Sequence, residues 1–300
     1  MTCTLKMNIR GKELHVEMAG PDHGPSLLYL HGGPGGLGCL DFMVTTAPAL
    51  ARQIRVVAFD QRGTLRSEPY AAGETVSLAG IVEDAEALRL ALGIERWAVL
   101  GHSYGGYLAV LYALTYPQSV AALLLESPTF SFTLSEQSLL RKNAALFTQM
   151  GDEANAARCL TLAEVDEPHD AVLWELGALL GAKAGGVMHA GQDWDFLNRI
   201  AAAAGLPAEV WPNSARTRAL VLAEGRIYQS IIPRLSGLTM PALLMKGEHD
   251  PITCEKQVAA FIDRVPQGRV ERFAASGHWI RYEEAARYAA TVLAFLGGVA

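Results

Sequence analysis

The sequence predicts a mostly parallel β-sheet covered by helices on both faces and interrupted once by a long helical insertion. Three observations carry this expectation. Short apolar, often β-branched runs alternate with helix-period patterns up to about Leu125. From about Pro128 to Ser236 the pattern is helical, with almost no strand signal. The strand–helix alternation then resumes at Pro241. A βαβα rhythm implies parallel strands joined by crossover helices, and a helical stretch between two parts of one such rhythm is most simply an insertion into a single sheet.

The elements follow in order. Leu5–Ile9 and Glu13–Met18 alternate apolar and polar residues around Arg10-Gly11-Lys12, which reads as a β-hairpin. Ser26–Leu30 is a short apolar strand that runs into glycine-rich sequence, and Ile54–Phe59 is a second, bounded by Asp60. Ser77–Leu92 places Ile81, Ala85, Leu88 and Ala91 on one helical face and stops at Gly93, a C-cap residue type. Trp97–Leu100 is a strand, Tyr104–Tyr116 a helix stopped at Pro117, and Ala121–Leu125 a strand. After the insertion come a strand at Pro241–Met245, a helix near Cys254–Arg264, a strand at Arg269–Phe273 and a closing helix from Glu283 to Leu296. The expected division is a catalytic domain of residues 1–127 and 237–300 with a helical cap of residues 128–236.

Composition narrows the function classes. Half of the 300 residues are apolar and 19% are charged, enough to bury a sizeable core. The net charge of −6 argues against a nucleic-acid partner, which calls for a basic stripe, and against an anionic membrane surface. No run approaches the ~18 apolar residues of a membrane span, and the first twenty residues hold no apolar block of signal-peptide length. The four cysteines, Cys3, Cys39, Cys159 and Cys254, form no C-x-x-C pair, so they read as idle thiols or small core residues. A reduced, cytoplasmic protein is expected. The oligomeric state is left open.

The chemistry starts at Gly101-His102-Ser103-Tyr104-Gly105, which fits G-x-S-x-G between a strand and a helix. A nucleophilic serine on a sharp strand-to-helix turn needs glycine neighbours so that strand and helix can approach each other. A serine hydroxyl also needs an adjacent base. Of the eight histidines, His278 follows a strand and precedes the last helix, in a loop, Ala-Ser-Gly-His-Trp, that can reach over the sheet edge; His15, His23, His102, His169 and His189 invite structural readings. The base needs an orienting acid. Gly247-Glu248-His249-Asp250-Pro251 offers Glu248 and Asp250, and Asp250 lies deeper in the loop. Ser103, Asp250 and His278 are therefore the expected catalytic residues. His31-Gly32-Gly33-Pro34-Gly35-Gly36 follows a strand and presents N–H groups unobstructed by side chains. Gly33 and Tyr104, the latter through the N–H just after the nucleophile, are the expected oxyanion donors.

HGGPGG at 31–36, DQRG at 60–63 and GHSYGG at 101–106, followed by a helical cap and then Asp250 and His278, resemble the proline iminopeptidase group of α/β-hydrolases. The resemblance spans nearly the whole catalytic domain. It implies an α/β-hydrolase fold, release of an N-terminal residue from short peptides, and neither metal nor cofactor. One departure is Leu65, where the group usually has a second glycine. The group also holds the substrate amine with cap glutamates. Glu224 is the first candidate here, with Glu175 and Asp195 behind it, and Gly32 and Trp279 complete the expected substrate-binding set.

Three functions compete. An aminopeptidase needs a carboxylate facing the serine. A carboxylesterase or lactonase needs an apolar pocket, for which Phe130, Phe132, Phe147, Leu173, Trp174, Trp194, Phe196, Trp211 and Tyr228 supply material. A non-catalytic binding protein would have had no reason to keep Ser103, Asp250, His278 and the glycine loop together. The expected partner is thus a small-molecule or short-peptide substrate.

Overall fold

A computed structural model describes residues 2–190 and 195–299. The chain opens with β1 (Thr2–Ile9) and β2 (Lys12–Ala19), antiparallel partners in register. Arg10 and Gly11 turn between them with φ of 52° and 78°, the left-handed pair that a tight hairpin requires. β3 (Ser26–Leu30), α1 (Leu40–Thr45), α2 (Ala47–Leu50), β4 (Arg55–Phe59), α3 (Leu78–Ala91), β5 (Trp97–His102), α4 (Tyr104–Thr115) and β6 (Val120–Glu126) complete the first part. Ser77 caps α3 by accepting the Gly80 N–H, and Gly93, at φ 64°, ends it. Ile81, Ala85 and Leu88 are buried as expected. Ala91 is exposed, because the last turn of α3 runs past the edge of the core.

Between β6 and the next strand the described residues are helical: α5 (Phe132–Gln149), α6 (Glu153–Leu162), α7 (Asp170–Leu180), α8 (Gly185–Met188), α9 (Phe196–Ala203) and α10 (Trp211–Glu224). The chain returns to the sheet with β7 (Ala242–Gly247), α11 (Glu255–Arg264), β8 (Gly268–Phe273), α12 (Ile280–Glu283) and α13 (Ala285–Gly297).

The eight strands form one sheet in the order β1-β2-β4-β3-β5-β6-β7-β8, antiparallel at β1–β2 and β2–β4 and parallel elsewhere. Side-chain alternation splits the interior between its faces. Leu28, Leu30, Trp97 and Val99 join one core, while Leu27, Tyr29, Ala98 and Leu100 join the other. α4 is apolar nearly all round because it is buried nearly all round. A third, smaller core lies among α5, α6 and α7.

What matters for function is the reversal in strand order. From β3 the chain moves outward to β4, then crosses back to β5 on the other side of β3. In open α/β sheets the crevice at such a reversal, beyond the carboxyl ends of the strands, is where ligands bind. The glycine loop leaves β3 there and Ser103 leaves β5, with Leu30 and Gly101 paired across the two strands.

Candidate active site

Ser103 occupies a strained turn, with φ 55° and ψ −120°. A non-glycine residue holds this geometry only when its surroundings dictate it. Glycines supply those surroundings. A Cβ at Gly101 would lie 2.2 Å from Gly105 O, and one at Gly105 would lie 2.0 Å from Leu30 O. The Gly105→Ala variant is therefore expected to lose about 3 kcal/mol of stability, read from chemical denaturation. Wild-type stability in that variant would mean the elbow is not close-packed.

The glycine loop packs against this turn. A Cβ at Gly32 would lie 3.3 Å from Ser103 Cβ, and Gly33 has φ 130°, a value closed to most side chains. Neither Gly33 N–H nor Tyr104 N–H donates to a backbone carbonyl among the described residues. The 60–63 motif braces the loop from behind. Gln61 donates its backbone N–H to His31 Nε2 and its side-chain amide to His31 O, both at 3.0 Å. His31 Nδ1 in turn lies 2.8 Å from Gly32 O, which fixes the proton on Nδ1. Burial pushes Asp60 up, but the Arg66 guanidinium, bonded through Nε at 2.8 Å, outweighs it and holds the carboxyl below its usual range. Leu65 sits at φ 44° and is fully buried. The backbone here demands a left-handed residue, which explains why glycine suits the position; Leu65 accepts the strain and fills the core instead.

Asp250 and His278 leave successive strands and meet. His278 Nδ1 lies 3.0 Å from Asp250 Oδ1, and both side chains are buried. The Ile252 and Thr253 N–H groups donate to the two Asp250 oxygens at 2.8 and 3.2 Å. Burial pushes Asp250 up; the charge and hydrogen bond of His278, with Lys246 and the Ile252 N–H, outweigh it and keep the carboxyl below its ordinary value. Glu248, the other acid of that loop, faces Arg272 at the surface instead. His102 Nε2 donates to His278 O at 3.1 Å, and the His278 N–H donates to Met188 O at 2.7 Å. No hydrogen bond joins the imidazole to the Ser103 hydroxyl among the described residues, but the two side chains share the wall of one cavity.

Ser103 and Gly33 border two cavities. One, of about 220 Å³, is lined by Gly32, Leu37, Asp41, His102, His278, Trp279 and Arg281 among others. The second, of about 330 Å³, is lined mainly from α5, α7 and α8 and is largely apolar: Phe132, Leu139, Leu173, Trp174, Leu180, Val187 and Ile252. Met188 borders both. Several polar side chains in the larger cavity escaped sequence reasoning, among them Glu136, Asn143 and Asp170. Glu136 is buried, and burial raises its carboxyl pKa despite the His169 N–H at 2.8 Å. Asn143, two turns further along α5, is buried, and its Oδ1 has no hydrogen-bond partner among the described residues. Asp170 pairs with Arg218. Only the shared face of α5, seven residues apart, could have linked Glu136 to Asn143 in the sequence.

Other expectations are redirected. Glu224 lines neither cavity; it ends α10, where the chain turns at Gly225 (φ 80°), and accepts the Arg226 N–H at 3.1 Å. Glu175 pairs with Arg158 at the surface, and Asp195 bonds Asn198. Phe130 and Phe147 belong to cores, Phe196 stacks on Tyr282, Tyr228 packs on Phe132, and Trp194 lies outside the described residues. All four cysteines are free. No helix among the described residues is long and apolar enough to cross a membrane.

A parallel sheet with its serine on a strand-to-helix elbow, a glycine loop beside it and a paired Asp and His on the following strand ends defines an α/β protein of hydrolase architecture. The chain belongs to the alpha/beta hydrolase fold family, whose model matches residues 25–285. Among curated relatives, a proline iminopeptidase of Xylella fastidiosa is 45% identical over 112 residues, 37% of this chain and 35% of the relative. One of Neisseria gonorrhoeae is 37% identical over 113 residues, 38% of this chain and 36% of the relative. The alignment thus spans about a third of the length of the curated relatives it matches. The fold extends further. A proline iminopeptidase-related protein from Thermus thermophilus superposes with a TM-score of 0.78 at 23% identity, covering 100% of this chain and 98% of that one. An enol-lactonase from Burkholderia xenovorans gives 0.67 at 19% identity, covering 98% and 100%.

Proposed function

We propose that this protein is a proline iminopeptidase-like serine hydrolase, working through Ser103, His278 and Asp250, that releases N-terminal residues from short peptides. The observation that carries the peptidase reading is Glu136, a buried carboxylate on the wall of the apolar cavity that Ser103 borders. A free amine brought beside it gains a charge-assisted hydrogen bond in a low-dielectric setting, and the unpartnered Asn143 Oδ1 accepts a further N–H. The apolar lining accommodates the ring or side chain of the N-terminal residue, which becomes the acyl part.

In this reading the Ser103 hydroxyl attacks the carbonyl while His278 Nε2 takes its proton; contacts of this kind commonly tighten only when substrate is bound. Asp250 keeps the proton of the neutral ring on Nδ1 and stabilises the cation that forms. The Gly33 and Tyr104 N–H groups hold the oxyanion. His278 then protonates the leaving amine and activates water to release the acyl group. The acyl part occupies the larger, cap-lined cavity and the leaving group the smaller one, beside His278 and Trp279.

The apolar character of the larger cavity favours a second reading, a carboxylesterase or lactonase. Glu136→Gln separates the two. For a peptidase, kcat/KM on a prolyl arylamide falls about ten- to a hundredfold, as the loss of a charged hydrogen bond implies, while a short acyl nitrophenyl ester is hydrolysed as before. Equal effects on both substrates, or none on the arylamide, reject the peptidase assignment.

A further inference from the structure

Beside the proposed triad are three buried charged side chains that its chemistry does not use, two of which, Asp41 and Arg281, reach the wall of the smaller cavity. Glu126 ends β6 opposite His102, and its backbone carbonyl accepts the Ser103 N–H at 3.0 Å. Its carboxylate is fully buried. Oε1 accepts from Arg281 Nη1 at 2.9 Å and from the Arg281 N–H at 3.3 Å, and Oε2 accepts from the Tyr288 hydroxyl at 3.0 Å. The second arm of the guanidinium, Nη2, meets Asp41, and the cation lies over the Tyr29 ring, 5.8 Å from its centroid. Arg281 stands three residues beyond His278, at the start of α12; Asp41 stands in α1, just after the glycine loop.

We propose that Arg281 is a positioning residue: its planar fork, held between Glu126 and Asp41, sets the spacing of the His278 loop, the Ser103 elbow and the glycine loop. This rests on the Ser–His–Asp reading above. The segments that carry His278, Ser103 and the glycine loop are each one short step from the fork. Other bonds also hold the His278 loop: His278 O accepts from His102, the His278 N–H donates to Met188 O, the Gly277 N–H and the Ser276 hydroxyl donate to Glu283 and Glu284, and the His249 N–H donates to Ser276 O; none of these reaches α1, which follows the glycine loop.

Energetics point the same way. Burying two carboxylates and a guanidinium is costly, and burial pushes the Glu126 carboxyl up even with Arg281 beside it. Well-packed apolar residues in such a place are often at least as stabilising. The group therefore contributes geometry more than stability. Lysine would not substitute, because a single ammonium cannot span both carboxylates in a fixed plane.

The test measures steady-state kinetics on a nitrophenyl ester, with circular dichroism and thermal melting as fold controls. Arg281→Met is expected to lower kcat about a hundredfold, the scale of a 1 Å misplacement, with KM changed by less than about threefold. The double variant Glu126→Leu/Arg281→Met replaces the pair with apolar bulk, so it guards against unfolding caused by an unpaired Glu126, and it should show the same loss. Glu126→Gln keeps an acceptor for Arg281 and should recover most of the rate lost in Glu126→Leu. Folded Arg281→Met or double variant with near-wild-type kcat overturns the assignment. So does loss of the folded state in both, since the group would then hold the fold rather than the site. Ser103→Ala runs alongside: turnover surviving there defeats the triad itself, whereas turnover lost there but normal in Arg281→Met defeats only the positioning role.

Discussion

The Ser103→Ala protein is expected to fold as the wild type does and to turn over its substrates more slowly by roughly 10⁶-fold, the scale on which loss of a serine nucleophile is felt. The structure gives two reasons to expect separation of fold from activity. The elbow is held by backbone and by glycine contacts, with the Ser103 N–H on Glu126 O and Gly101 against Gly105. No hydrogen bond of the serine hydroxyl to His278 supports it among the described residues, and alanine fits the same space. Thermal melting and an ester assay on one preparation check both halves. A melting point close to wild type with residual turnover above a few per cent would remove Ser103 from the mechanism.

Asp250→Asn carries the next largest effect, a fall in kcat of about 10⁴-fold. The asparagine would keep one loop bond, because an oxygen in the Oδ2 place still accepts the Thr253 N–H, but an amide N–H in the Oδ1 place, facing His278 Nδ1, favours the wrong tautomer. That ring then offers Ser103 a donor where a base is required. The same substitution has a signature in acid. Asp250 is held below its ordinary carboxyl value in the folded protein, so its ionised form contributes stability above the unfolded value of about 3.9, and that contribution is lost as the pH falls through the lowered folded value. Asp250→Asn lacks this loss, so the difference in stability between variant and wild type should narrow as the pH drops below about 4. A constant difference from pH 7 to pH 3 would contradict the pairing.

The sheet and the elements that carry Ser103, Asp250 and His278 were legible because each has a local cause: β-branched runs, glycine punctuation, caps such as Ser77. Strand limits shifted by one to three residues, where hydrogen bonding continued past the apolar run, as at Thr2, His102 and Gly247. The cap lining was not legible. Whether an acid faces solvent or a cavity depends on how helices are rotated against the sheet, and exposed acids are the norm. Glu224 read as well as Glu136 in one dimension; Glu224 at the end of α10 lines neither cavity, while α5 brings Glu136 to the cavity wall. The Arg281 cluster was equally hidden, since its partners stand 155 and 240 residues away.

Ser103 stands on the wall of two chambers, one lined mainly from α5, α7 and α8 and the other mainly by the loops that follow the strands. In the proposed mechanism this puts the two halves of a substrate under separate control. Drift in the cap helices would exchange the repertoire of groups transferred without disturbing departure of the other half, and changes around Leu37 and Trp279 would do the reverse. Such modularity lets one scaffold move between amide and ester chemistry by altering a single wall at a time.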